Sequence, residues 1–579
     1  MAGTQASQLL ATLTDKAAYD VVVLGTGAAG MAAALFASIA GSKVLLVERT
    51  EYVGGTTALS GGTTWVPLTR YLAHTNTQDN FANVMTFLDA AVGEHAPREM
   101  REAFLKAGAD AIHTLVDNTK VAFRACAYHP DYLADLPGAT VNGRALEPLP
   151  YNAGHLKSNI KLLRPPIPEF TVLGGMMVNR EDINNLLQRF KTPKSFLYTA
   201  KLVGRYYRDK LLYGQSARSV MGHALIARML DSVLERGIDL TVSTEVTELK
   251  PNADGSVQLT LQQNGITKPI QAKGGVILAS GGFGRDPDKR KSIYPQGVAE
   301  FSPTASGHTG ELHKQVMQLG ACYGKADDQP AFWAPVSTRK RADGSLAVFP
   351  HFVFDRSKPG TVCIDQTGKR FANESRSYHE FGKVMLAGGA NTNPAWIVCD
   401  AEAIQKYGLG MVRLGGDDLR PYLADGYLLE SKTLDELAQK LQVPADNLKA
   451  SIAQMNEAAQ SGVDSVFNRG STVYQRANGD ATHQPNPTLG AIKTAPFYAV
   501  KLYPADIGTA RGLQGDTSAR LVREDGSVIE GLYACGNDLN SIMGGTYPGP
   551  GITIGPAIVF GYIAAQHASR RAKTPKQQG

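Results

Sequence analysis

The residues of this sequence whose types and spacing point most directly to chemistry are three glycines and a carboxylate. Val21 to Leu24 is a short apolar, β-branched run suited to a buried parallel strand. Gly25, Gly27 and Gly30 follow with G-x-G-x-x-G spacing, the helix-like segment from Ala28 is alanine-rich, and a second apolar run, Val44 to Val47, ends at Glu48. In a dinucleotide site Gly25 permits the tight turn, Gly27 lets backbone approach a pyrophosphate, and Gly30 lets helix and strand pack closely. The pyrophosphate rests at the helix N-terminus beside Ala28, where free N–H groups and the macrodipole favour negative charge. Glu48 lies 18 residues past Gly30, where a carboxylate can accept hydrogen bonds from an adenosine ribose. A ligand with an ADP moiety is expected here.

These residues need a sheet and helices to hold them, and the chain supplies the pattern. Asp79 to Val116 is spaced for helix with one buried face, and Arg124 to Arg164, rich in Pro, Gly and Tyr, is expected to loop over a site. Gly222 to Arg236 reads as an amphipathic helix and Asp239 to Leu249, which contains Val246, as a strand. Val257 to Leu261 and Lys268 to Ala272 suggest a meander around Asn264-Gly265, and Gly274 to Gly284 is a buried strand ending at Gly281 and Gly282. Leu434 to Gln442 and Ala445 to Ser461 are helical in pattern. Gly531 to Gly536 is a last strand, followed by Asn537, and Gly551 to Ala565 is a helix beginning near Ile552 and Ile554. The tail from Arg570 to Gly579 is polar, basic and expected to fray.

Composition narrows the class. The chain is 43% hydrophobic and 19% charged, which suits a globular protein with a large core. The N-terminus lacks the pattern of a secretory signal, and no apolar stretch reaches the roughly 18 residues of a membrane span. Five scattered cysteines without a C-x-x-C pair, and twelve histidines without ligand-like spacing, argue against disulfide or metal frameworks and for a reducing, cytoplasmic setting. Between Lys191 and Arg218 seven basic residues face Asp209 alone, a local excess equal to the +6 of the whole chain. On a helical wheel Phe196, Leu197, Ala200, Val203, Tyr207 and Leu211 share a face, with Lys201, Arg205 and Arg208 roughly opposite. That is a membrane-surface pattern, expected at the inner face of a membrane; a helix packed on its own domain is the alternative for residues 190–218. No nucleic-acid module is visible.

The turns after Glu48, Val53-Gly54-Gly55-Thr56-Thr57 and Ser60-Gly61-Gly62-Thr63, resemble those of two-dinucleotide-binding flavoproteins, and GGTTALSGGTTWVP resembles the fumarate reductase and 3-ketosteroid dehydrogenase superfamily. The resemblance implies FAD, held by Gly25, Gly27, Ala28, Gly30 and Glu48, by Gly55, Thr56, Thr57, Ser60, Gly61 and Gly62, and by Val246, Gly281, Gly282, Gly536, Asn537, Ile552 and Ile554. It also implies an α/β fold: a Rossmann-like FAD-binding domain, residues 1–285 and 506–579, with an inserted α+β substrate domain, residues 286–505. The His and Arg constellation of fumarate reductases is poorly matched, since Asp506 to Gly512 has no His beside Thr509. TYPGPG followed by ITIGPAIVFGYIAA, with SGGTTWVP, HPDY, KRFANESRSY and DIGTARGL, is similar to 3-ketosteroid Δ1-dehydrogenases over nearly the whole chain; the basic insertion is an addition relative to shorter members.

By that resemblance Tyr378 is the base that takes a proton from steroid C2, and Tyr132 assists it and relays the proton. The Tyr547 hydroxyl and Gly551 N–H stabilise charge on the ketone oxygen, and FAD receives the C1 hydride. An unassisted phenol, near pKa 10, is a poor base at neutral pH. A Δ4-(5α)-dehydrogenase, an enoate reductase running the reverse chemistry, and a non-catalytic flavin- or lipid-binding protein are the alternatives. A 3-ketosteroid is the expected substrate; the electron acceptor, a quinone or a carrier, is left open.

Overall fold

The apolar runs at residues 21–24 and 44–47 become adjacent parallel strands, β1 (Ala18–Leu24) and β2 (Val44–Val47), with Val21 opposite Val44 and Leu24 opposite Val47. All four residues of β2 and the last four of β1 are buried, as in a parallel sheet covered on both faces. The computed structural model describes residues 5–14, 17–353, 355–415 and 417–574. Between the two strands α1 (Ala28–Ile39) buries everything from Ala28 to Ala37; its alanines allow close packing. The helical stretch expected over 79–116 is two helices, α2 (Phe81–Val92) and α3 (Arg98–Asn118), separated where Gly93 takes φ 53°.

The basic insertion is a helix, α4 (Pro193–Tyr213), started by Thr192, whose side chain accepts from Ser195 N–H, and ended by Gly214 in the left-handed conformation. Its inward face carries Ser195, Thr199, Leu202, Tyr206 and Asp209. The apolar stripe of Phe196, Leu197, Tyr207 and Leu211 faces outward, with Leu211 87% exposed. At 100° per residue Lys201 and Arg208 flank this stripe rather than oppose it, while Arg205 lies toward the far side, beside buried Asp209. With Asn152 and Gly204 these three line a surface cavity of about 580 Å³.

After α5 (Met221–Glu235), the strand expected over 239–249 is broken at Ser243, φ 51°, into β3 (Asp239–Thr241) and β4 (Thr244–Pro251). β5 (Val257–Gln263) and β6 (Ile266–Leu278) form a hairpin whose corner, Asn264-Gly265, has positive φ at both residues. The two runs expected as separate strands fuse in β6. Gly275 lies where the partner changes, and a Cβ there would sit 2.3 Å from Gly531 O.

A second, antiparallel sheet follows: β7 (Ala331–Lys340), β8 (Leu346–Pro350), β9 (Thr361–Ile364), β10 (Ala395–Asp400), β11 (Leu429–Ser431) and β12 (Phe497–Thr509), in the order β8-β7-β12-β10-β9 with β11 on β12. Successive residues point to opposite faces. Ile397, Cys399 and Val500 join one core, while Trp396, Val398 and Ala499 join another under α7 (Leu434–Leu441) and α8 (Ala445–Ser461). α6 (Tyr378–Ala387) precedes β10.

The chain returns to the first sheet through β13 (Arg520–Val522) and β14 (Val528–Ala534), which runs parallel to β6. That sheet has the order β3-β2-β1-β6-β5-β4 with β14 attached at β6 and β13 at β14, a Rossmann-like arrangement with the second sheet inserted between β6 and β14. α9 (Ile554–Lys573) closes it. The tail is helical as far as Lys573, whose Nζ donates to Ala40 O at 2.5 Å, so four residues expected to fray are tied down. Residues 575–579 lie outside the described residues.

Candidate active site

The glycine fingerprint occupies the β1–α1 turn. Gly25 has φ 116°, and a Cβ would lie 2.1 Å from Ala279 O; at Gly30 it would lie 1.9 Å from Gly25 O. Gly27 differs, because nothing approaches its missing Cβ closer than Thr57 Oγ1 at 3.9 Å. The first two glycines therefore close a strand–helix contact, and the third leaves backbone open to a ligand. At the start of α1, Ala28 N–H donates to Thr57 Oγ1 at 3.2 Å, while the N–H groups of Ala29 and Gly30 find no acceptor among the described residues. A helix end with free donors fits a pyrophosphate.

Around this end the other expected cofactor residues gather. Glu48, at the end of β2, accepts from Thr26 N–H and O–H and from Thr50 N–H and O–H, the last two at 2.9 and 2.8 Å. Ribose hydroxyls would have to share it with these threonines. Gly55 and Gly62 have positive φ, and a Cβ on Gly62 would meet Gly222 N at 2.5 Å. Ser60 caps this turn through Gly62 N–H, at 3.1 Å, and Thr56 Oγ1 accepts from Ala305 N–H at 3.0 Å. Gly281 and Gly282 follow β6, packed on His308 and Thr509 respectively, and Val246 lies on β4, part-buried. A narrow cleft is bounded by Phe332, Thr509, Gly536, Asn537, Ile552 and Thr553, with Thr509 packed on Gly282; Ile554 starts α9 beside it.

The three tyrosines, more than 150 residues apart in sequence, meet behind the Phe332 wall of that cleft. Tyr132 and Tyr378 have hydroxyls 3.4 Å apart. The Tyr132 ring stacks on Tyr547 with centroids at 5.5 Å, and Tyr378 meets Tyr547 edge-on at 5.2 Å. Phe332 from β7 lies 5.2 Å from Tyr547, joining the cleft to the cluster. Tyr132 is fixed by backbone, its N–H donating to Pro548 O at 2.7 Å. Tyr378 is the first residue of α6, whose N-terminal end favours an anion. Gly551 has φ 90°, with no room for a Cβ against Thr63 O at 2.2 Å, and its N–H donates to no group among the described residues. Burial pushes both Tyr132 and Tyr378 well above the ordinary phenol range. Tyr547 is also raised by burial, with Tyr378 and Thr553 opposing, and so stays a hydroxyl donor. The arrangement offers two phenols that can pass a proton beside two donors, one O–H and one N–H, at a cleft of cofactor-binding turns.

The FAD binding domain family matches residues 20–554. The 3-oxosteroid 1-dehydrogenase of Mycolicibacterium smegmatis is 35% identical over 564 residues, covering 94% of this chain and 96% of its own. The crystal structure of the 3-ketosteroid Δ1-dehydrogenase from Sterolibacterium denitrificans, in complex with 1,4-androstadiene-3,17-dione, superposes with a TM-score of 0.88 at 32% identity, covering 96% of this chain and all of that one. The chain belongs to the 3-ketosteroid Δ1-dehydrogenase family. It is an FAD-dependent oxidoreductase, and the free donors of α1 and the open backbone at Gly27 fit that cofactor. The 4-oxocyclohex-2-ene-1-carboxylate 5-dehydrogenase of Sinomonas cyclohexanicum is equally similar, 36% identical over 560 residues and covering 96% of this chain and 94% of its own.

Several residues of the dehydrogenase's site are not legible in the sequence. Asp131, beside Tyr132, accepts from Trp65 Nε1 at 2.9 Å, Thr140 N–H at 3.0 Å and Arg144 Nη1 at 2.8 Å, so it anchors the loop that carries Tyr132. The D of HPDY was the available signal. Asp538 accepts from Gly282 N–H at 2.8 Å and pairs with His313 at 2.9 Å, holding the turn after β6. His308, buried and lowered to about 4 by that burial, is a neutral imidazole against Gly281. Tyr474 packs its ring 4.8 Å from that of Tyr132. No helix among the described residues is long and apolar enough to cross a membrane.

Proposed function

We propose that this enzyme introduces the C1–C2 double bond of a 3-ketosteroid. The observation that carries this reading is the convergence of Tyr132, Tyr378 and Tyr547 beside the cleft wall at Phe332, with the Tyr132 and Tyr378 hydroxyls 3.4 Å apart. Tyr547 O–H and Gly551 N–H donate to the ketone oxygen, where negative charge develops as the C2–H bond breaks. Each such preorganised donor lowers the barrier by roughly 3–4 kcal/mol. Tyr378 receives the C2 proton as phenolate, and Tyr132 hydrogen-bonds to it and passes the proton outward. FAD, when bound, accepts the hydride from C1, completing the C1=C2 bond.

The related 4-oxocyclohex-2-ene-1-carboxylate 5-dehydrogenase is named for a ring ketone too, so the same tyrosines suit a 4-oxocyclohexanecarboxylate. The surroundings favour the neutral substrate. The rings meeting the three tyrosines belong to Phe332, Phe352, Tyr474, His129 and His379. Anaerobic mixing with 4-androstene-3,17-dione, or with 4-oxocyclohexanecarboxylate, tests the choice. Flavin bleaching and 1,4-androstadiene-3,17-dione formation with the first alone supports the steroid reading; bleaching with the second alone overturns it.

A location follows from α4. Its outward stripe of Phe196, Leu197, Tyr207 and Leu211, with Lys201 and Arg208 at its flank, suits an anionic bilayer surface. Co-flotation with phosphatidylglycerol vesicles, lost when residues 190–218 are deleted, is the expected result; undiminished flotation of the deletion variant removes the assignment.

A further inference from the structure

Tyr378 and Tyr547 stand on different supports. Tyr378 opens α6, and Tyr547 follows the glycine turn Gly544-Gly545. Asp328 is bonded to both. Its N–H donates to Gly544 O at 3.1 Å, and its carboxylate accepts from Lys383 Nζ of α6 at 3.0 and 2.9 Å. The next residue, Gln329, lies against Gly545, φ 93°, where a Cβ would sit 2.2 Å from Gln329 O. Trp333 Nε1 holds Gln329 in turn, donating to its Oε1 at 2.8 Å. Pro330 O accepts the N–H groups of Ala510 and Arg511, both at 2.9 Å, so residues 328–330 are also tied to the chain just past β12.

α6 is seated on β7 at Gly382, where a Cβ would meet Trp333 Cβ at 2.6 Å. That contact sets how closely the helix lies on the strand; the bond from Lys383 to Asp328 sets where along its axis it stops. Lys383 is five residues past Tyr378, about 7.5 Å along the helix. His379 stands at the same junction. Burial keeps its imidazole neutral, and Nδ1 accepts from Trp333 N–H at 3.1 Å, so the ring proton is on Nε2, 4.0 Å from Asp328 Oδ2. The same ring packs 5.9 Å from that of Tyr547. Burial alone would raise the Asp328 carboxyl; His379 and Lys383 hold it below the ordinary carboxylate range, so it is an anion at neutral pH. Glu380 Oε1 also lies 3.5 Å from Lys383 Nζ.

We propose that Asp328 is a positioning residue of the dehydrogenation: with its carboxylate on α6 and its N–H on the turn before Tyr547, it fixes the Tyr378 phenol relative to the Tyr547 hydroxyl. This role rests on the reading of Tyr378 as base and Tyr547 as donor to the ketone. The two act on neighbouring parts of one ring, C2 and the oxygen on C3, so an error in their spacing is felt by both. A misplacement of about 1 Å costs on the order of 10²-fold in rate. Removing either side chain of the Asp328–Lys383 pair leaves the backbone bonds of residues 328–330 in place, so α6 alone is released.

The test is anaerobic stopped-flow of Asp328→Asn, Lys383→Met and double-variant holoenzymes with 4-androstene-3,17-dione, unlabelled and deuterated at C2. Each single variant should keep its flavin and its steroid Kd within a few-fold, while the limiting rate of bleaching falls by about 10²-fold and shows a primary isotope effect from C2. The double variant should be no slower than the slower single one, as for two residues that act as a unit. Lys383→Arg, which keeps the cation, should recover most of the rate. A limiting rate in K383M within about three-fold of wild type overturns the proposal, even should D328N fail to fold. Lys383, with a side chain 27% exposed, tolerates methionine. Slowed bleaching without the C2 isotope effect, or slowed only in step with lost flavin, also overturns it. Near-wild-type bleaching by Y378F would instead remove the base assignment itself, whereas an inactive Y378F beside an unmoved K383M removes only Asp328.

Discussion

Replacing Tyr547 by Phe isolates one hydroxyl. The ring is 5% exposed and sits between Tyr132 at 5.5 Å, Tyr378 at 5.2 Å and Phe332 at 5.2 Å, all contacts that Phe keeps. The fold therefore loses at most a side-chain hydrogen bond, about 1 kcal/mol. Chemistry loses more, since a preorganised donor in a water-poor site contributes about 2.7–4 kcal/mol to the transition state, or roughly 10²–10³ in rate. The ketone of bound substrate carries little charge, so steroid affinity should change only a few-fold. The assay is anaerobic stopped-flow of the yellow enzyme with 4-androstene-3,17-dione over a range of concentrations, which separates the limiting rate of bleaching from the apparent Kd. A limiting rate within about ten-fold of wild type, or a defect confined to Kd, would show that Tyr547 binds substrate without stabilising developing charge.

Other outcomes follow from the same geometry. Tyr378→Phe should retain FAD and steroid and lose turnover by orders of magnitude, checked by flavin absorbance, steroid titration and product assay. Gly25→Ala, forced to 2.1 Å from Ala279 O, should yield little folded holoprotein, whereas Gly27→Ala, with 3.9 Å of clearance, should fold and lose flavin, read as the absorbance ratio at 450 and 280 nm. His308 and His223 are both held down to about 4 by burial, so the folded state binds fewer protons than the unfolded chain between that value and 6.5. Stability should be full above pH 6.5 and fall as pH drops toward 4, by about 3 kcal/mol per histidine when fully expressed. Thermal melts between pH 7.5 and 4.5 check the slope, and His308→Asn should flatten it.

What the sequence conveyed was local. Gly25, Gly27, Gly30 and Glu48 carry their meaning in spacing, because a turn that must approach a pyrophosphate tolerates few alternatives. TYPGPG is legible for a similar reason: glycine and proline on both sides of Tyr547 fix backbone where a functional group has to stand still. The missing parts are tertiary. Asp131 and Asp538 act through partners far off in sequence, Trp65 for the first and His313 for the second, and local pattern does not reveal those pairings. The α4 stripe was recognisable as a stripe, but periodicity does not say which side meets the body; Asp209, buried among Arg205, Arg208 and Ala217 N–H, turns the polar edge inward. The fusion of two runs into β6 was equally invisible, since Gly274-Gly275 read as a break and serves instead as the place where one strand exchanges neighbours.

β12 has a mechanical consequence. Its thirteen residues begin in the core of the inserted sheet, pair there with β10 and β11, then run along β7 and end at Thr509, whose hydroxyl reaches Asn537 O at 3.4 Å in the cofactor cleft. One continuous hydrogen-bonded strand thus spans the interior of one lobe and the lip of the other. The ladder partners of β12 all lie in the inserted sheet, and its tie to the cofactor cleft is the Thr509 hydroxyl on Asn537 O, so a shift of the inserted sheet is delivered to the cleft at Thr509 with the ladder intact.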